Sequence, residues 1–167
     1  VRRQISADEL ATLYHDIGAC IWQMQYLEDV LHTFLTMKVE LKEPGKVPAE
    51  EAMALLAKHR RATLGTSTRT AETNNALPQE LVHQLRLLKE ERDWLVHRSM
   101  HQDGDNLYTD SGRNAIFTRL SVLQDEISHL KAEIMNQVEI FCSGHGLSSA
   151  QASSLAAKQI TALRGEG

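Results

Sequence analysis

The chain has 167 residues, 42% of them apolar, and a formal charge of −4. That length and composition give one compact domain room for a core and exclude a disordered chain, while the negative balance excludes a protein that holds nucleic acid through an overall basic field. With only three prolines and nine glycines, long uninterrupted helices are expected.

Ser6-Ala7-Asp8-Glu9 has the capping-box spacing, in which hydroxyl and carboxylate satisfy the backbone donors left unpaired in a first helical turn. Leu10, Ile17, Met24 and Leu31 then recur every seven residues, interleaved with Leu13, Cys20, Leu27 and Phe34, which predicts a bundle helix to about Leu41. Pro48 opens a second helix carrying Met53, Leu55, Leu56 and Ala57. Thr63-Leu64-Gly65-Thr66 interrupts it, and a short further helix reaches about Asn74. From Pro78 the stripe Leu81, Leu85, Leu88, Arg92, Leu95 and Ser99 steps by three and four. Residues 101–112 are rich in Asp, Gly and Asn and read as a loop, with Asn106 to Thr109 as a short extended piece. The last major helix, about 111–142, aligns Ile116, Leu120, Leu123, Ile127, Leu130, Ile134, Val138 and Phe141. Beyond it, 148–163 has Leu155, Ile160 and Leu163 as its few apolar anchors and reads as a loosely docked terminal helix. The expectation is an all-α chain: an up-and-down four-helix bundle over 1–142 with an extra short helix, and a tail over 143–167 with a C-terminal helix.

Cys20 and Cys142, the only cysteines, fall in apolar helical stretches and are expected as buried small hydrophobes of a reducing cytoplasm, neither a disulfide nor a zinc site. No apolar run approaches membrane-spanning length, and the Arg2-Arg3 pair has no apolar segment after it, so neither export nor membrane insertion is expected.

The residues with chemical potential gather near the middle. Arg92 sits on an apolar stripe, where a permanent guanidinium needs a carboxylate, a wet cavity or an interface; Glu28 or Asp29 of the first helix is the natural partner. His97 lies five residues on, about 140° around an α-helix, so the two do not share a face. Asp93 and His97 are four apart and can face each other, so that the carboxylate orients the imidazole. Basic residues cluster at Lys58-His59-Arg60-Arg61 with Arg69, plainly read as a solvated face, and again at Arg92, His97, Arg98 and His101. Asp93, His97 and His101, spaced four and four, offer a weaker metal-binding reading, because three side chains along one helix span more than one coordination sphere. Asp103-Gly104-Asp105-Asn106 fails as a calcium loop, with Leu107 fifth and Asn114 twelfth. Phosphate-cradling, dinucleotide and nucleophile-elbow motifs are missing. Trp22, Tyr26 and Trp94 are expected in the core or a dimer seam rather than as base-stacking platforms.

Arg92, the polar Asp93 and then His97 resemble the Arg-polar-x(3)-His form of the Rx(4–6)H signature of HEPN domains, helical bundles of RNA-cutting toxins and defence proteins. Leu95-Val96-His97-Arg98 is similar to the apolar, histidine, basic context found there, and the likeness extends from Thr63 to about Ile140. The resemblance implies a metal-independent endoribonuclease without cofactor, with Arg92 and His97 catalytic and Asp93 orienting. Arg98, His101, Arg60 and Arg61 would contact the RNA, and a homodimer would bring both motifs to one cleft. It also implies a toxin or defence role with an antitoxin partner. Ser99 stands where some HEPN toxins carry a tyrosine, so regulation by tyrosine modification is not implied. From another class, a catalytically silent HEPN-like bundle would serve as an RNA- or protein-binding subunit, with Arg92 kept as a structural ion-pair member.

Overall fold

The computed structural model describes residues 2–43 and 45–148, with positions 150, 151, 153, 154, 157, 158, 161, 164 and 165. Among these the chain is all-helical, and its one extended pairing is an isolated antiparallel bridge between Arg2 and Thr109. The anchors Leu155, Ile160 and Leu163 of the expected terminal helix lie outside the described residues.

Helix α1 (Ala7–Leu35) begins with the capping box: the Glu9 amide donates to Ser6 Oγ, and the Ser6 amide donates to the Glu9 carboxylate. Its heptad residues Leu13, Cys20, Met24, Leu27, Leu31 and Phe34 are buried. The expected extension to Leu41 is present, but as a π-helical turn, Thr36–Leu41. Hydroxyls of Thr33 and Thr36 bond back to the carbonyls of Asp29 and His32, which competes with regular α bonding. Helix α2 (Ala49–His59) follows Pro48, and α3 (Leu64–Thr73) takes Thr63 as its cap. Helix α4 (Gln79–Asp93) runs into a second π turn, Trp94–Arg98, then α5 (Ser99–Asp103), a 3-10 turn (Gly104–Tyr108) and α6 (Asp110–Gly144).

The expected loop at 101–112 is therefore helical nearly throughout, and only Thr109 in it is extended. Its turn-forming residues act as anchors instead. Asp103 accepts from Trp94 Nε1 at 2.7 Å and from Asn106 Nδ2 at 2.9 Å. At Gly112 a side chain would collide with the Asn106 carbonyl, so glycine lets the 3-10 turn close onto the start of α6.

Helices α1 and α6 pack together most extensively, with α3 against α4 and α4 against α6. Leu27, Leu31 and Leu35 of α1, Leu85 and Leu88 of α4, and Leu120, Leu123, Ile127 and Ile134 of α6 are sealed from solvent. Polar groups are buried with them, Arg113 and His32 among them. Arg113 of α6 is 1% exposed; it donates to the Leu107 carbonyl at 2.7 Å and pairs with Glu9 at 3.2 Å and with Asp110. Arg3 bonds Glu9 and Asp110 as well, so one ionic knot ties the N-terminal segment, the 3-10 turn and α6.

The second is His32 of α1, whose Nε2 lies 3.0 Å from Ser67 Oγ of α3. Burial pushes its pKa below the ordinary 6.5, and the nearby His59 and Arg60 push it further while Asp29 opposes them. In the window between the folded pKa and 6.5 the unfolded chain takes up the proton first. Stability is thus intact above about pH 6.5 and falls as the pH drops through that window. Denaturant titrations across this range should show the loss in wild type and a flatter profile in His32→Gln. Equal slopes in the two proteins would contradict it.

Candidate functional site

The site is built where α4 gives way to its π turn. Trp94 and Leu95 are consecutive and both buried, as Leu81 and Val82 are earlier in α4. The turn is marked by the Ser99 amide donating to the Trp94 carbonyl five residues back. Two elements pin this turn. The Arg119 guanidinium of α6 stacks 3.6 Å from the Trp94 ring centroid while gripping Glu91 of α4 at 2.8 and 2.9 Å, and Asp103 holds the indole N–H. Across this turn His97 follows Arg92 by five residues.

Arg92 is half-buried, its Nε 3.4 Å from Glu28 Oε1 of α1 and a terminal nitrogen 3.8 Å from Asp93. Of the two carboxylates expected for it, Glu28 is the partner, and Asp29 instead binds Arg60 of the α2 terminus at 2.6 and 3.2 Å. Burial raises the Glu28 pKa above its ordinary value, and the charge of Arg92 opposes that rise. His97 is exposed and has no hydrogen bond or ion pair among the described residues.

Asp93 departs from its expected role. Its carboxylate is bonded by Lys89 Nζ at 2.7 Å, which holds it below the usual carboxylate range, and it makes no hydrogen bond to His97 among the described residues. A permanent cation four residues away outcompetes an exposed imidazole for the same oxygens. Arg98 is exposed and caps the Glu90 carbonyl at 3.2 Å; His101 is exposed on α5, and Arg61 is exposed just after α2. The structure thus gathers Arg92, Asp93, His97 and Arg98 on one continuous stretch and leaves Arg60 and Arg61 on another element. Asp93, His97 and His101 do not join in a metal-holding cluster among the described residues.

Sequence reasoning missed three supports of the site. Lys89 was legible as an i, i+4 partner of Asp93; Arg119 and Asp103, which fix the π turn through Trp94, carry no local signal. Trp94 is in the core as expected, whereas Trp22 and Tyr26 form an exposed edge-to-face pair with centroids 5.9 Å apart. Tyr14, Ile21, Val96 and Met100 are exposed too. Between α1 and α5 an apolar groove of about 380 Å³ opens among Tyr14, Ile17, Leu95, Ser99, Met100 and Leu107. Neither Arg92 nor His97 lines that groove; chemically, an accessible imidazole is a group able to move a proton, and a guanidinium one able to hold an oxyanion.

No protein-family model matches the chain, and neither a curated protein nor a solved structure does. No helix among the described residues is long and apolar enough to cross a membrane.

Proposed function

We propose that this protein is a metal-independent endoribonuclease of the HEPN kind, acting on RNA in the cytoplasm as a homodimer, its helices forming an up-and-down four-helix bundle with an extra short helix. The observation that carries the reading is the π turn that follows Arg92 and presents an exposed His97, without a partner among the described residues. RNA brings its own nucleophile. His97 removes the 2′-OH proton, the oxygen attacks the adjacent phosphorus, and the 5′ oxygen leaves with a proton returned by the imidazolium of the second protomer. Arg92 binds two phosphate oxygens as the charge builds. Exposed Tyr14, Ile21 and Trp22 of α1, with Val96 and Met100 of the motif-bearing stretch, supply apolar surface for a two-fold contact. A toxin or defence role, with an antitoxin that covers the cleft, follows from the resemblance.

The Arg92–Glu28 ion pair favours a second reading, a catalytically silent RNA- or protein-binding subunit in which Arg92 is structural. Incubating purified protein with unstructured RNA in excess chelator separates the two. Cleavage leaving 2′,3′-cyclic phosphate ends, by a protein that light scattering shows to be a dimer, is the expected result. No cleavage, or cleavage only on adding a divalent metal, would overturn the ribonuclease reading.

A further inference from the structure

Along α4, before Arg92, an open pocket of about 430 Å³ lies between helices α3 and α4. Three cations line it, Arg69, Arg86 and Lys89, against one carboxylate, Glu72, with Thr63 and Thr66 at its edge. Glu72 pairs with Arg86, and Lys89 reaches Asp93 of the motif, so these two cations are held in place. Arg69 is exposed and has no ion pair or hydrogen bond among the described residues. At Gly65 a Cβ would come within 3.2 Å of Lys89 Cε, so the bare backbone leaves room for the lysine stem across the floor.

A chain with a formal charge of −4 has no general basic field, so any polyanion it holds must be held locally. This pocket is such a place. Arg86 precedes Arg92 by six residues, about 9 Å of helix, which corresponds to about two to three nucleotides of strand at their usual axial rise. We propose that the α3–α4 pocket is a phosphate subsite that holds the backbone of the RNA strand a few nucleotides from the bond to be cut, with Arg69 as its principal ligand. The identity of the strand as RNA rests on the ribonuclease reading. The pocket itself rests on its own cations.

The test is fluorescence anisotropy with a short, labelled 2′-O-methyl RNA, which cannot be cleaved. Arg69→Glu should weaken binding by roughly tenfold and flatten the dependence of log affinity on log salt by about 0.7 for each phosphate no longer neutralised. Lys46→Glu makes the same charge change at a surface position paired with Glu43 and should leave both nearly unchanged. Equal binding by the two variants would overturn the subsite. A signal from inorganic phosphate alone, with no Arg69-dependent RNA binding, would overturn the RNA assignment. RNA cleavage by wild type together with Arg69-independent binding removes the pocket alone; Arg69-dependent binding without any cleavage removes the ribonuclease reading and leaves the pocket.

Discussion

His97→Ala is expected to lower RNA cleavage by roughly a hundredfold or more, the scale of a missing general acid–base, with the melting temperature unchanged. The side chain is exposed and makes no bond among the described residues, so its removal takes away proton transfer and nothing that holds the fold. Arg92→Lys is the companion variant. Lysine keeps the charge near Glu28 but not the planar two-point grip on a phosphate, so cleavage should fall well below wild type in folded protein. Arg92→Ala is less informative, because it also strips Glu28 of its cation. Burial already raises the Glu28 pKa, and the loss of Arg92 would remove the charge that opposes that rise. Full activity in folded His97→Ala and Arg92→Lys would leave the binding-subunit reading in place.

The largest loss of stability is expected from Arg113→Ala. Arg113 is 1% exposed, and the substitution would leave the Leu107 carbonyl without its donor and remove the charge between Glu9 and Asp110. Leaving a buried acceptor without its donor costs about 1–3 kcal/mol, and with Asp110 exposed the ion pairs add little to that; for a chain of this size the melting temperature falls by on the order of 5 °C. Urea unfolding measures it. The account predicts fraying of the first residues and of the 3-10 turn with it, since Arg3 shares the same carboxylates. A loss below about 1 kcal/mol would mean that the knot contributes little, as exposed pairs do.

What the sequence made legible is local or periodic. The Ser6–Glu9 capping box, the α1 heptads and the α6 stripe follow from spacing alone, and Glu28 was nameable as a partner of Arg92 because a charge on an apolar stripe needs one within reach. The π turn at Trp94 was not, since it is stabilised by Arg119, far along the chain on α6, and by Asp103, whose residue type signals a turn. The same turn chemistry concealed α5 and the 3-10 turn, where Asp103 accepts from both Asn106 and the indole rather than opening a loop. Asp93 was assigned to His97 although Lys89 lies at an equally good helical spacing; spacing offered both, and charge decided. Trp22 and Tyr26 lie on the outer side of α1, which a heptad reading does not distinguish from a seam facing another chain. The α3–α4 pocket was invisible because Arg69 and Lys89 belong to different helices, and only the packing of those helices brings them together.

The central claim, that Arg92 and His97 serve attack by the ribose hydroxyl, is tested most directly by one comparison. Wild-type protein in chelator is given the same labelled sequence as RNA, as DNA and as RNA with 2′-O-methyl groups throughout, and the cleavage rates are measured side by side. The account predicts cutting of the RNA alone, because only it carries the nucleophile. Cleavage of the DNA or of the 2′-O-methyl strand at a comparable rate would contradict it.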